Sequence, residues 1–196
     1  AVVGESGAGL SAGVVPSVSA AHMSGADQAM RHLLGLGHRR IAAIVGPSGW
    51  VASEDRRRGY HAALAAAGIL PDPALEAESD FEISGGVKAA GEFLDLADPP
   101  TAIFAFSDNL AIGAIQAAHA RGVRVPEDLS VVGFDDVELA TIVTPKLTTV
   151  RQPLAEMGRT AVSLLVRLLE RQRFETLHVE LGTRLVVRES TAPPPR

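Results

Sequence analysis

The segment TAIFAFSDNLAIGAIQAAHARGVRVPEDLSVVGFDD, residues 101–136, contains two predicted strands that end in the same way. The first apolar strand ends at the polar pair Ser107-Asp108, where a helix begins, and the second ends on Asp135-Asp136. Two buried parallel strands of this kind bring their polar side chains to one edge of a sheet. Since open α/β sheets bind ligands at the carboxyl edge, the segment predicts a small-molecule pocket.

Strands and helices alternate on both sides of this segment. Further helices are predicted at about 23–36, 53–67, 84–97 and after Pro153. Further strands are predicted at 2–3, 14–18, 41–45, 76–81, 148–151, 177–181 and 185–187. The alternation implies right-handed crossovers, and therefore an α/β fold with a doubly wound parallel sheet that helices cover on both faces.

Length and composition limit the class of protein. The 196 residues allow one large domain or two small ones. A net charge of −5 disfavours broad contact with a phosphate backbone, which needs clustered basic residues. The chain has no cysteine, so disulfides and thiolate metal sites are excluded.

Motifs of catalysis and cofactor binding do not occur. The sequence has no phosphate-binding loop with its lysine, no Gly-x-Ser-x-Gly and no Gly-x-Gly-x-x-Gly. Its six histidines lack a metal-binding spacing, and we interpret them as surface or helix residues. We therefore expect no enzyme, cofactor or metal site. No apolar run approaches the ~18 residues of a membrane span, and the first residues lack the features of a signal peptide, so a cytoplasmic protein is expected.

Four motifs follow one another along the chain: GHRRI at 37–41, SDNLAIG at 107–113, VPEDLSVVGFDD at 125–136 and LTTVRQP at 147–153. Together they resemble the effector-binding region of LacI/GalR-type bacterial transcription repressors, over residues from about 14 to 190. The resemblance implies two lobes like those of periplasmic sugar-binding proteins, each built on a doubly wound parallel sheet. It also implies that the ligand binds in the cleft between the lobes.

The resemblance further implies how the chain divides. Residues 38–152 and 182–190 fall in a C-terminal subdomain, while residues 1–37 and 153–181 fall in an N-terminal subdomain that is incomplete in this chain. Residues 191–196 contain three consecutive prolines and are expected to be a disordered tail. The helix-turn-helix with which such repressors begin is not among these residues, so operator DNA would be bound only through a segment outside them.

Arg56 and Asp135 are the main candidates for ligand binding. The Arg56 guanidinium can grip a hydroxyl pair or a carboxylate, and the family's Arg-x-x-Gly-aromatic pattern places its ligand-contacting arginine on this residue. The Asp135 carboxylate can accept two hydrogen bonds from a sugar diol or a purine edge. An aspartate there could instead cap the following helix. We assign that capping role to Asp136, a division with which the resemblance agrees.

Four further residues complete the expected ligand site. Ser107 matches the position where relatives place a polar side chain in the pocket, while Asp108 is the expected cap of the helix. Phe81 is either a stacking surface for a ring or part of the core. Gln152 emerges from a crossing strand into the cleft, and Ser24 lies at a helix N-terminus that faces the cleft.

Trp50 is either a second wall of the cleft or a cover on the surface, and the sequence leaves both readings open. Arg56, Asp135, Gln152 and one aromatic ring fit a sugar or sugar phosphate best, and a nucleobase second. The leading interpretation is therefore the effector-sensing region of a LacI-type regulator. A sugar-binding protein of a transport system, which shares the fold, is the alternative.

A homodimer is also expected. The helix after Ser107 carries two apolar strips, and a helix on a sheet needs only one of them for packing. In relatives this helix and the segment at 140–143 meet their copies about a two-fold axis. The resemblance therefore places Ile112, Gln116 and Val143 at a dimer contact.

Overall fold

The fold is carried by two sheets in the computed structural model, which describes residues 2–3, 16–170 and 178–195. Its strands are β1 Val2–Val3, β2 Ser17–Ala20, β3 Ile41–Val45, β4 Glu76–Glu78, β5 Ala102–Ala105, β6 Ser130–Asp135, β7 Thr148–Arg151, β8 His178–Leu181 and β9 Arg184–Val186. Its helices are α1 His22–Leu36, α2 Val51–Ala66, α3 Ile83–Leu94, α4 Asp108–Ala120, α5 Leu139–Ile142 and α6 Leu154–Leu169. Residues 14–15 and 177 of two predicted strands, and residue 196 of the predicted tail, lie outside the described residues.

The larger sheet has six strands in the order β4-β3-β5-β6-β7-β9. Its first five strands are parallel, and β9 pairs antiparallel with β7. One face is covered by α1 and α2 and the other by α3 and α4, each with its own buried apolar cluster. The predicted doubly wound α/β architecture is therefore confirmed.

The smaller sheet has the order β1-β2-β8, with all three strands parallel. α6 packs on this sheet, because Met157, Ala161 and Leu164 of its apolar face are buried with Val18 and Ala20 of β2. Within the described residues, the chain thus passes between the two sheets three times: from β2 into α1, from β7 into α6, and from β8 into β9.

α1 packs on the larger sheet beside α2. Its buried stripe belongs to the core cluster of that sheet and consists of Ala26, Ala29, Met30 and Leu33. The two helices lie so close at Gly59 that a Cβ there would collide with the carbonyl oxygen of Met23. This packing differs from the expected boundary at residue 37, because the chain has already left the smaller sheet after Ala20.

The C-terminal residues that were expected to form a disordered tail are held by hydrogen bonds. His38 Nε2 donates to the Ala192 carbonyl at 2.8 Å, and the Ala192 amide donates to Ser130 Oγ at 3.0 Å. His32 Nε2 lies 2.9 Å from Thr191 Oγ1. Ser130 is the first residue of β6, so these contacts lie at the amino edge of the larger sheet. The expectation of disorder therefore does not hold for Thr191 and Ala192.

α4 is covered on two sides within the chain, since it packs against β5 and β6 and also against α3. Glycines allow the two helices to approach: a Cβ at Gly113 would overlap the carbonyl oxygen of Ile83, and one at Gly86 would overlap that of Leu110. Both predicted apolar strips of α4 are buried, with at most 7% exposure for Leu110, Ala111, Ile112, Ala114, Ile115 and Ala118. The second strip is therefore not an open surface for a partner.

Candidate functional site

A cavity of about 290 Å³ opens at the carboxyl edge of the larger sheet. Its lining residues follow the strands β3, β4 and β5 or end the strand β6. The lining residues are Trp50, Arg56, Asp80, Phe81, Ser107, Asn109 and Asp135. The structure thus brings four of the predicted ligand residues, Arg56, Phe81, Ser107 and Asp135, around one cavity.

Arg56 is fixed beneath this cavity with only 1% of its surface exposed. One guanidinium nitrogen, Nη1, donates to the carbonyl oxygen of Phe106. The other, Nη2, lies 3.3 Å from His22 Nδ1 and 3.7 Å from Asp135 Oδ1. The guanidinium carbon is 3.9 Å from the centroid of the Phe134 ring, which adds a cation–π contact. These partners offset the cost of burying the cation and hold its orientation.

Asp135 ends β6 with a backbone φ of 121°, in the left-handed region that non-glycine residues rarely adopt. Its Oδ1 accepts a hydrogen bond of 2.6 Å from Gln152 Nε2. The side chain remains 24% exposed, towards the cavity. Gln152 follows β7 and reaches the site through this hydrogen bond to Asp135. A strained residue with an accessible carboxylate is typical of a binding position.

Ser107 is the N-cap of α4, because its Oγ accepts a hydrogen bond of 3.2 Å from the Leu110 amide. The prediction that Asp108 caps this helix is therefore wrong. Asp108 is instead buried and accepts hydrogen bonds from the Val137 amide, at 2.8 Å, and from Thr149 Oγ1. Burial raises the pKa of Asp108 to about 7, although those two hydrogen bonds act in the opposite direction.

Asp136 does not cap α5, contrary to the prediction. Its carboxylate is paired with Arg151 and Arg188, and only 4% of its side chain is exposed. Burial would raise the pKa of Asp136, but hydrogen bonds from Arg188 and Arg151 outweigh it and hold that pKa below its ordinary value. Asp136 thus fastens the turn after β6 to β7 and to the segment that follows β9.

Phe81 and Trp50 form an aromatic wall of the cavity. Their ring centroids are 5.9 Å apart and their planes meet at 57°. Phe81 has a φ of 68° and is half-buried, so it serves as a wall and also packs against both core clusters. For Trp50 the sequence left a cleft wall and a surface cover open, and the structure places this residue on the cavity.

Ser24 is the one predicted ligand residue that the structure does not bring into the site. It is exposed, and its Oγ lies 3.5 Å from Gln28 Nε2 on the same helix. His22, the first residue of α1, lies behind the site instead and contacts Arg56 and the Phe134 ring. Burial, together with the Arg56 charge, lowers the pKa of His22 to about 3, so the neutral ring can accept from Arg56.

Sequence reasoning missed His22, Asp80 and Asn109. His22 was interpreted as an ordinary helix or surface residue, although its place directly after a strand end was a usable signal. Asp80 and Asn109 adjoin the predicted residues Phe81 and Ser107 in sequence, and adjacency to predicted site residues could have indicated them. Among the residues that the structure describes, no cluster of histidine and carboxylate side chains could hold a metal ion.

Comparisons with known proteins identify the family of this chain. A family model described as a periplasmic binding protein-like domain matches residues 30–191. The chain belongs to this family, in the form found in LacI-family transcription regulators. The expected resemblance is therefore confirmed, and the relatives that are named below are regulators of transcription. In the described part of the chain, no helix combines the length and apolarity needed to cross a bilayer.

Two curated relatives illustrate the similarity. The chain is 41% identical over 172 residues to the HTH-type transcriptional repressor CytR of Escherichia coli K12, covering 88% of this chain and 49% of the relative. It is 43% identical over 169 residues to the HTH-type transcriptional regulator CelR of Thermobifida fusca, covering 86% of this chain and 50% of that protein. The chain spans about half the length of the curated relatives it matches.

Two solved structures are similar along most of the chain. A transcriptional regulator CelR–cellobiose complex superposes with a TM-score of 0.86 at 42% identity, covering 90% of this chain and 54% of that one. A LacI family transcriptional regulator from Mycobacterium smegmatis gives a TM-score of 0.86 at 37% identity, covering 93% of this chain and 68% of that one.

Proposed function

We propose that this chain is the effector-sensing region of a LacI-family transcription regulator and that its cavity binds a sugar. The observation that carries the proposal is that charged and aromatic side chains line the same cavity. Arg56 and Asp135 present a donor and an acceptor in fixed positions, and Phe81 adds an aromatic ring to the lining. A sugar ring has hydroxyl edges for the first pair and an apolar face for the second.

The relatives support a regulator rather than a transport protein. CytR and CelR are both named as HTH-type regulators of transcription, and a solved CelR structure contains cellobiose. In the intact protein, operator DNA would be bound by a helix-turn-helix outside these residues. A regulator of this kind would act in the cytoplasm, where bacterial DNA lies.

The position of Gln152 suggests how ligand binding would be transmitted. Gln152 lies between β7 and α6, at one of the three passages between the two sheets, and its Nε2 donates to Asp135. A ligand that hydrogen bonds to Asp135 would therefore act directly on this passage. A change in the relative position of the lobes would then alter the spacing of the DNA-binding segments in a homodimer.

Calorimetric titration of the chain with cellobiose, maltose, lactose, glucose, galactose and ribose tests the proposal. We expect at least one of these sugars to bind with a stoichiometry of one per chain. Adenine, adenosine and cytidine serve as the competing ligand class. Binding of a nucleobase or nucleoside, with no response to any sugar, would overturn the sugar assignment, and Asp135→Ala should weaken any genuine signal.

A further inference from the structure

Trp50 lies at the rim of the cavity, and 40% of its surface is exposed. It is the only tryptophan of the chain and the N-cap residue of α2, with an extended backbone. Its ring centroid lies 5.9 Å from that of Phe81, and Trp50 is the more exposed of the two residues. The aromatic wall therefore continues from the interior of the cavity to its opening.

Phe81 adopts a strained backbone conformation that its neighbours hold in place. Its φ of 68° is a genuine exception for a bulky residue. The Asp80 carboxylate fixes this turn by accepting a hydrogen bond of 3.1 Å from the Glu82 amide. Gly46 leaves the space for the ring, since a Cβ there would overlap Phe81 Cζ. Strain of this kind at a cavity wall indicates a selected position for the ring rather than incidental packing.

The angle between the two rings determines what the wall can accept. Planes that meet at 57° form a corner, so a flat bicyclic base can lie on only one of them. Two linked sugar rings are not coplanar, and each has an apolar face that can rest on one aromatic ring. Asp80 and Asn109 also line the cavity and offer polar groups to the hydroxyls of an outer ring.

We infer that Trp50 forms an outer subsite for the second ring of a disaccharide, while Arg56, Asp135 and Phe81 hold the first ring. The effector class is then a disaccharide or a longer oligosaccharide rather than a monosaccharide. This inference rests on the proposed sugar-binding function and adds to it a specificity-determining residue.

Tryptophan fluorescence tests the outer subsite, because Trp50 is the only tryptophan of the chain and can be excited selectively over Tyr60. Cellobiose, maltose and lactose are the disaccharide probes, with glucose and galactose as the matching single rings. We expect a disaccharide to shift or quench the emission and to bind more tightly than its component monosaccharide. Wild-type protein that binds only monosaccharides would overturn the inference.

Substitution separates the subsite from the site as a whole. Trp50→Ala should lower disaccharide affinity about tenfold more than monosaccharide affinity, measured by calorimetry, and Trp50→Phe should restore most of the loss. Val51→Ala, at the exposed neighbour on α2, is the matched control and should change neither. Equal losses for both sugar classes in Trp50→Ala would overturn the subsite and leave the proposed function standing. Failure of every sugar to bind the wild type would overturn both.

Discussion

Asp135 and Asp136 are consecutive aspartates with opposite surroundings. Asp135 keeps an accessible carboxylate on the cavity, whereas Asp136 is enclosed by Arg151 and Arg188. Both have positive φ values, 121° and 61°. The paired Asp136 thus anchors a turn whose backbone would otherwise relax, and that anchor keeps Asp135 directed at the ligand. Asp136 is a positioning residue in this sense.

Asp135→Ala is expected to weaken binding of the effector sugar by about tenfold to 150-fold. A hydrogen bond to a charged group contributes about 1.5–3 kcal/mol, and the substitution removes that acceptor. Calorimetry with the sugar identified by titration measures the effect. Glu138→Ala, which removes an exposed carboxylate three residues away, is the control and should bind as the wild type does. Unchanged affinity in Asp135→Ala would exclude the residue from the site.

The pKa of Asp108 is raised and the pKa of His22 is lowered. The two shifts therefore make stability change with pH in opposite directions. Burial raises the pKa of Asp108 from 3.8 to about 7, so between those values the folded protein keeps a proton that the unfolded chain has released. Burial and Arg56 lower the pKa of His22 from 6.5 to about 3, so there the folded protein lacks a proton that the unfolded chain holds. Rising pH therefore removes stability through Asp108 and adds it through His22.

The substitution Asp108→Asn tests the contribution of Asp108 to the pH dependence of stability. Asparagine keeps an acceptor for the Val137 amide but cannot ionise, so the variant should gain stability relative to the wild type as pH rises. The gain is expected to reach about 1.4 kcal/mol for each pH unit between about 5 and 7, and then to level off. Urea unfolding at several pH values gives the difference in the free energy of unfolding. A difference that stays constant with pH would contradict the prediction.

His22→Gln should change the pH dependence of stability in the opposite direction. It lacks a group whose contribution grows with pH, so its free energy of unfolding should fall relative to the wild type between about pH 4 and 6.5. His32 and His38, whose pKa values burial also lowers, remain in both proteins and cancel in the comparison. Parallel pH trends in the two variants would be inconsistent with the assignment.

The contact between α3 and α4 depends on two glycines rather than on large side chains. Gly86 and Gly113 each lie against the backbone of the opposite helix. A methyl group at either position cannot be accommodated by moving a side chain, because carbonyl oxygens occupy the space. The close packing of these helices therefore depends on the absence of a Cβ at these two sites.

Gly113→Ala is accordingly expected to lower the free energy of unfolding by about 1–3 kcal/mol, despite alanine's higher helix propensity. Gly158→Ala is a matched control in the interior of α6, where a Cβ would meet no atom within 4 Å. That control should gain about 0.5–1 kcal/mol. Chemical denaturation measures both values, and a gain of stability in both variants would show that the helices can separate at little cost.

The helices and strands were predictable because their apolar periodicity is strong and their ends carry turn residues. β3, β7 and the central part of α4 illustrate this, since the predicted spans differ from the observed ones by a residue or less. The ends of strands also located Arg56, Ser107 and Asp135 near one another. The apolar periodicity of a helix, however, does not indicate which structural element covers its second apolar strip. For α4 that neighbour is α3, which the close approach at Gly113 permits.

Contacts between distant segments account for most of the other differences. The cap of α4 was predicted to be Asp108 because both Ser107 and Asp108 are suitable caps, and burial of Asp108 by Val137 and Thr149 decides between them. The order of the tail at Ala192 depends on His38, which is 154 residues away in sequence. No local pattern contains that information.

Self-association is a property of the whole molecule. The exposure of the expected contact residues decides which substitutions can test it. Of the expected contact residues, Gln116 is exposed and Val143 is half-buried, whereas Ile112 is only 7% exposed. The apolar surface near Val143 is supplied by Ile142, 65% exposed, and Leu139, 46% exposed. We therefore propose a homodimer contact at α5 and the exposed side of α4, with Ile142 near its centre.

Ile142→Glu should weaken the dimer at least about tenfold, because a two-fold contact brings both introduced carboxylates into the same interface. Sedimentation velocity between micromolar and submillimolar concentration measures the change. Ile112→Glu is a poor probe of assembly, since it buries a charge and should lower stability instead. A wild-type chain that remains monomeric throughout this range would contradict the proposed dimer.

The passage of the chain between its two sheets has a consequence for its synthesis on the ribosome. Within the described residues, β8 completes the smaller sheet beside β2, 161 residues earlier at the Ser17–His178 contact, and β9 completes the larger one. Contacts so distant in sequence close late and slowly. A nascent chain can assemble β3, β5 and β6, and with them the residues that line the pocket, before β8 has been made, but β2 gains its second neighbour only with residues 178–181. The smaller sheet is therefore completed after the pocket, and a stalled chain that lacks β8 should contain the pocket without a complete smaller sheet.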